Sequence, residues 1–79
     1  MEVVFINSHC EGIFYSMTAA EIYVCARASE GNSAFVSRHY DYDNQCHVIV
    51  YKDFKARIFT TDVIDIEWRA TASFFLYPG

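Results

Sequence analysis

Isoleucine and valine together number fourteen in this chain, and leucine occurs once, at Leu76. Branched Cβ atoms lose χ1 freedom in a helix and pack well on the pleated surface of a sheet. A helical bundle of this length would be rich in leucine instead. The skew therefore predicts a mostly β fold.

Size sets the second constraint. The chain has 79 residues and a mass of 9.1 kDa, which predicts one compact domain over 1–79, packed from about residue 2 to residue 77. Ordering so short a chain costs roughly 1.5 kcal/mol per residue, on the order of 100 kcal/mol in all. Hydrophobic residues at 53% and aromatic residues at 18% offset that cost without requiring disulfides or metal. The margin left is thin, and a homodimer would widen it.

Along the chain, Val3-Val4-Phe5-Ile6 is a continuous apolar run of the kind found in a strand covered on both faces. Asn7 to Gly12 reads as a turn, and Ile13 to Met17 as the returning strand. Thr18-Ala19-Ala20-Glu21 fits a capping box, and Gly31 stands where a helix would place its left-handed terminal residue. Ile22, Val24, Ala26 and Ala28 also alternate with more polar neighbours, a strand's period. The nearby alanines, with no turn signal before Ala28, favour one short helix at about 18–29.

The remainder reads as an antiparallel meander. Ala34 to Tyr40 runs up, Asp41 to Asn44 turns, and Cys46 to Lys52 runs back as an interior strand. Lys55 to Thr60 follows, then Ile64, Ile66 and Trp68 on one face of a half-buried strand, then Thr71 to Tyr77. The fold class expected is α+β and mostly antiparallel β, a curved meander wrapping one helix. An all-β small barrel is the alternative if 18–29 is a strand.

Composition excludes some functions. Six basic against ten acidic residues give a net charge of −4, which opposes nonspecific binding to nucleic acid or to anionic membranes. No apolar run approaches the ~20 residues of a membrane span, and Met1-Glu2-Val3-Val4 lacks the basic start of a secretory signal. Three cysteines, Cys10, Cys25 and Cys46, read as free thiols in a cytoplasmic setting.

Chemistry-bearing patterns are weak. His9-Cys10 and Cys46-His47 offer zinc donors, but adjacent strand residues point to opposite faces and cannot both converge on one ion. Asp41-Tyr42-Asp43-Asn44-Gln45 begins like a calcium loop, then places Cys46 where the sharp-turn glycine belongs and Lys52 where the bidentate glutamate belongs. A hairpin turn explains the same residues. No cysteine sits in a nucleophile signature, and no phosphate-binding glycine loop occurs. No catalytic residue, metal site or cofactor is expected.

Two surfaces are expected to make contacts. Tyr40, Asp41, Tyr42 and Asp43 interleave rigid aromatic area with carboxylates, which suits a larger protein with a basic surface. Lys52, Phe54, Lys55 and Arg57 form a basic hairpin with an aromatic tip, the alternative of a small β nucleic-acid-binding domain. Cross-strand pairing of Lys55 and Arg57 with Asp65 and Glu67 explains that hairpin more simply. Phe74-Phe75-Leu76-Tyr77 reads as a closing strand, or as an edge used for dimerisation. The expectation is a small non-catalytic inhibitor or adaptor of a basic or nucleic-acid-handling protein. Stand-alone acidic chains of this size are often made by phages or mobile elements as counter-defence inhibitors of the anti-CRISPR kind, acting in the host cytoplasm.

Overall fold

The computed structural model describes residues 1–61 and the strand at Leu76–Tyr77. The strands are β1 (Glu2–Ile6), β2 (His9–Phe14), β3 (Phe35–Asp41), β4 (Cys46–Tyr51), β5 (Lys55–Thr60) and β6 (Leu76–Tyr77), with one helix, α1 (Met17–Glu30), between β2 and β3. They form one sheet in the order β3-β4-β5-β1-β2-β6. Five strands pair antiparallel, and β6 lies parallel to β2. The fold is α+β with an antiparallel meander, as expected. The sheet is open, so the barrel alternative is not what forms: residues 17–30 are a helix covering one face.

That helix starts one residue earlier than expected and is capped differently. Ser16 is extended, and its Oγ accepts from the Ala19 amide at 3.1 Å, satisfying one of the free donors of the first turn. Glu21 does not close a box with Thr18; it pairs with Arg38 of β3. At the other end the left-handed residue is Asn32, with φ of 51°, and not Gly31. Ser33 donates to the Ala28 carbonyl at 2.8 Å and Asn32 to the Ser29 carbonyl at 3.2 Å, the two bonds of a Schellman end.

Ala20, Val24 and Ala28, spaced four apart, form the buried stripe of α1. Their small side chains let the helix sit close over Val4, Ile6, Phe14, Ile49, Ala56 and Ile58. The far face of the sheet carries a second cluster, where Val3 and Ile13 are joined by Met1, Phe5 and Cys10. Val3 and Val4 are both fully buried, so β1 is covered on both faces as its apolar run predicts.

The first hairpin is tighter than expected. Its turn is Asn7-Ser8, with Asn7 at φ 57°, a conformation asparagine tolerates better than most residues. Gly12 lies inside β2, opposite Val4, and a bulge follows because Phe5 pairs with Cys10. The expected strand at Ile64–Trp68, the pairing of Lys55 and Arg57 with Asp65 and Glu67, and the Thr71–Phe75 part of the closing strand lie outside the described residues. Leu76–Tyr77 does end the sheet beside β2.

Ile58 is 0% exposed and joins the sheet to the helix-side core. Ile58→Ala is expected to cost about 3 kcal/mol, mid-range for deleting a large buried aliphatic group. Urea unfolding would show a lower midpoint at unchanged slope; a loss below about 1 kcal/mol would contradict this packing.

Candidate functional site

The β3–β4 connection is held by its own side chains. Asp41 and Cys46 are the last pair of the ladder, and Gln45 takes φ of 54° to bring the chain back. Asp41 Oδ1 accepts from the amides of Asp43 at 3.0 Å and Asn44 at 3.3 Å, and Oδ2 accepts from Asn44 Nδ2 at 2.8 Å. The Asn44 side-chain bond, then the backbone bonds, hold the Asp41 carboxyl below its ordinary range.

Three rings flank this turn. Tyr40 stands across from His47 with ring centroids 5.0 Å apart, and Tyr42 meets Tyr40 edge-on at 4.8 Å. Tyr42 is 82% exposed and Tyr40 39%. Asp43 is exposed beside them. The four residues singled out in the sequence therefore come together, with divided roles: Asp41 and Tyr40 build the turn and its support, while Tyr42 and Asp43 face solvent.

The basic hairpin is arranged differently. Phe54 stacks on Tyr51 at 5.0 Å and 22° and packs against the helix-side core. Its neighbours anchor the loop, with the Lys52 backbone amide donating to the Ala34 carbonyl at 2.8 Å and the Asp53 amide to Ser33 Oγ at 3.0 Å. Lys55 and Arg57 pair with Val50 and Val48, which places both on the face away from the helix. Lys52, Phe54, Lys55 and Arg57 thus do not share one platform.

Cys46 is buried, and burial followed by the charge of Asp41 pushes its thiol up. His47 lies on the opposite face, against Tyr40. Cys10 belongs to the far-face cluster, whereas the His9 side chain is 82% exposed. Cys25 is exposed on α1. Among the described residues no three His, Cys, Asp or Glu side chains converge as a metal site.

One polar network was not foreseen. The β2 bulge turns Glu11 toward the helix, as bulges re-aim a side chain. Its Oε1 accepts from Tyr23 Oη at 2.6 Å and from Arg27 at 2.5 Å, with His9 Nε2 3.8 Å from Oε2. Tyr23 and Arg27 are one helical turn apart, a spacing the competing strand period concealed. Arg27 also borders a half-open depression of about 220 Å³, lined by Ile6, Asn7, Gly31, Ser33, Asp53 and Phe54. The network fastens α1 to β2, and nothing in it is poised as a nucleophile with a base.

Among the described residues, four of the seven carboxylates have partners within the chain. Glu2 accepts from the Thr60 hydroxyl, Glu11 from Tyr23 and Arg27, Glu21 pairs with Arg38, and Asp41 holds its turn. Glu30, Asp43 and Asp53 are the exposed carboxylate residues among those described. Compared with protein-family models, curated protein sequences and solved structures, the chain matches none.

Two titrations report on these features. A carboxyl whose folded pKa lies below its unfolded value stabilises the fold above that value, and the contribution is lost as pH falls through the folded one. The Asp43 and Asn44 amide signals should therefore shift together with a midpoint below 3.8, the ordinary aspartate value; a midpoint at or above it would contradict the Asp41 bonds. Tyr23 has the opposite sign, its pKa raised above 10.0 by burial and then by the Glu11 bond. Its contribution is present below pH 10.0 and lost as pH rises through the raised value. Tyr23→Phe should cost about 1 kcal/mol at neutral pH, the usual net worth of a partly exposed hydrogen bond, and should flatten the alkaline loss. An unchanged alkaline limb would refute that assignment.

Proposed function

We propose that this protein acts by contact and not by catalysis, as a small inhibitor or adaptor of a larger protein with a basic, nucleic-acid-handling surface. The observation that carries this reading is the Tyr42 ring, 82% exposed and braced edge-on by Tyr40, with the Asp43 carboxylate beside it. A braced tyrosine brings apolar area at low entropic cost, and tyrosine is enriched among the residues that dominate binding energy. An adjacent carboxylate steers the encounter with a cationic surface.

Net charge and composition support a more particular reading. An acidic chain of 79 residues suits a counter-defence inhibitor encoded by a phage or mobile element, of the anti-CRISPR kind, acting in the host cytoplasm.

The test is affinity capture by the tagged chain from lysate of its native host, washed at moderate and then high salt. Wild type should retain one stoichiometric basic or nucleic-acid-handling protein. Tyr42→Ala should weaken that complex by about 2 kcal/mol, roughly thirtyfold, as truncation of a central aromatic does. Asp43→Lys should lower the association rate and its salt dependence. Asp41 is left intact in these variants because it holds the turn. Equal retention by both variants, or recovery of nucleic acid alone released by salt, would overturn the proposal.

A further inference from the structure

The two ends of the sheet are not equivalent. One is the two-residue β6; the other is the seven-residue β3, bonded to β4 alone among the described residues. Every residue from Phe35 to Tyr40 is exposed, Phe35 and Val36 at 59% each. Free edges of this length are ordinarily blunted by lysine, proline or a disruptive bulge. β3 contains neither lysine nor proline, and its bulge lies at its start, between Phe35 and Ser37, leaving Ser37 to Asp41 regular. Arg38 and Asp41 cancel, so this edge is neutral on a chain of net charge −4.

We infer that β3 pairs antiparallel with β3 of a second copy of this chain, about a two-fold axis through His39. Opposed residues in an antiparallel pair share a face of the sheet. A two-fold axis perpendicular to the sheet must therefore pass through a residue and not between two. An axis at Arg38 sets guanidinium against guanidinium, which cross-strand pairing disfavours. An axis at Ser37 runs into the bulge, and one at Tyr40 sets Arg38 and Ser37 against the turn residues Tyr42 and Asp43.

The axis at His39 uses the whole regular stretch. Ser37 then faces Asp41 twice, a hydroxyl donor against a carboxylate. Arg38 faces Tyr40 twice, a cation over an aromatic ring, with the guanidinium charge already balanced by Glu21 of its own helix. The edge is complementary to itself in this register, which selects a second copy over a foreign strand.

Sedimentation of the full chain and cysteine cross-linking test this together. In a Cys25→Ser background, which removes the exposed native thiol, His39→Cys places two Cα atoms opposite each other at roughly 4.5–5.5 Å, within disulfide reach. Ser37→Cys places its two copies four residues apart along the paired strands, about 13 Å. We expect twice the 9.1 kDa chain mass, near-complete cross-linking of His39→Cys, and none of Ser37→Cys. His39→Lys, which sets two ammonium groups on the axis, should halve the mass at unchanged circular dichroism. A monomeric wild type at its highest soluble concentration, equal cross-linking at both positions, or a His39→Lys variant that stays dimeric would each overturn the inference.

Discussion

Val4 on β1, Ile58 on β5 and Val24 on α1 are all fully buried and belong to one cluster. The rest of the structure depends on their contact. A sheet of Val and Ile has no stable state while one face meets water, and among the described residues a single helix, α1, covers it. Ala20 and Ala28 flank Val24 along the helix, so no bulky group props α1 away from the strands. Close approach matters in a small core, because a gap forfeits dispersion contacts on both sides. The Schellman end at Asn32 and the Ser16 cap fix where the helix begins and stops. Those limits in turn set where β3 enters the sheet.

Polar side chains fasten what the core brings together. Glu11 ties β2 to α1 through Tyr23 and Arg27, Glu21 ties α1 to β3 through Arg38, and Glu2 meets Thr60 across β1 and β5. Half-buried carboxylates of this sort stabilise because their donors are already in place, which offsets part of the desolvation cost. One consequence bears on function. A net charge of −4 would suggest a broad acidic surface, yet Glu2, Glu11 and Glu21 are taken up by partners within the fold and Asp41 by its own turn. Among the described residues that leaves Glu30, Asp43 and Asp53 as the exposed carboxylates.

Much of the fold was legible because it rests on local periodicity. The β4 run was plain in the nearly continuous apolar stretch Cys46–Tyr51, with Lys55–Thr60 following it as β5, and the double burial of β1 in Val3-Val4. What escaped depends on partners distant in sequence. Nothing in His9-Cys10-Glu11-Gly12 announces a bulge, because the extra residue exists only relative to Val4 and Phe5 across the ladder. Gly12 looked like a turn residue and sits inside a strand; Asn7 alone supplies the left-handed geometry. Thr18 and Glu21 satisfied a capping pattern that Ser16 preempted, and Glu21 pairs instead with Arg38. The Tyr40–Asp43 cluster was legible as a surface, but its division of labour was not, because that follows from hydrogen bonds within the turn.

The turn and the free edge belong to the same strand, and this couples the two proposals physically. Asp41 is the last ladder residue of β3 and the anchor of the turn, so whatever orders the edge also orders the presentation of Tyr42. In a pairing centred on His39, Val36 of one copy falls opposite Tyr42 of the other, and the two turns stand at opposite ends of one joined strand pair. Their separation would be roughly six residues of strand, about 20 Å. Two identical aromatic contacts at that spacing on a rigid sheet would engage a repetitive or two-fold surface with a gain set by effective concentration. A partner with one basic pocket would gain nothing from the second turn. Were the pairing and the contact both to hold, a partner that is itself two-fold or repetitive would gain most, and proteins that work on duplex nucleic acid often have that symmetry.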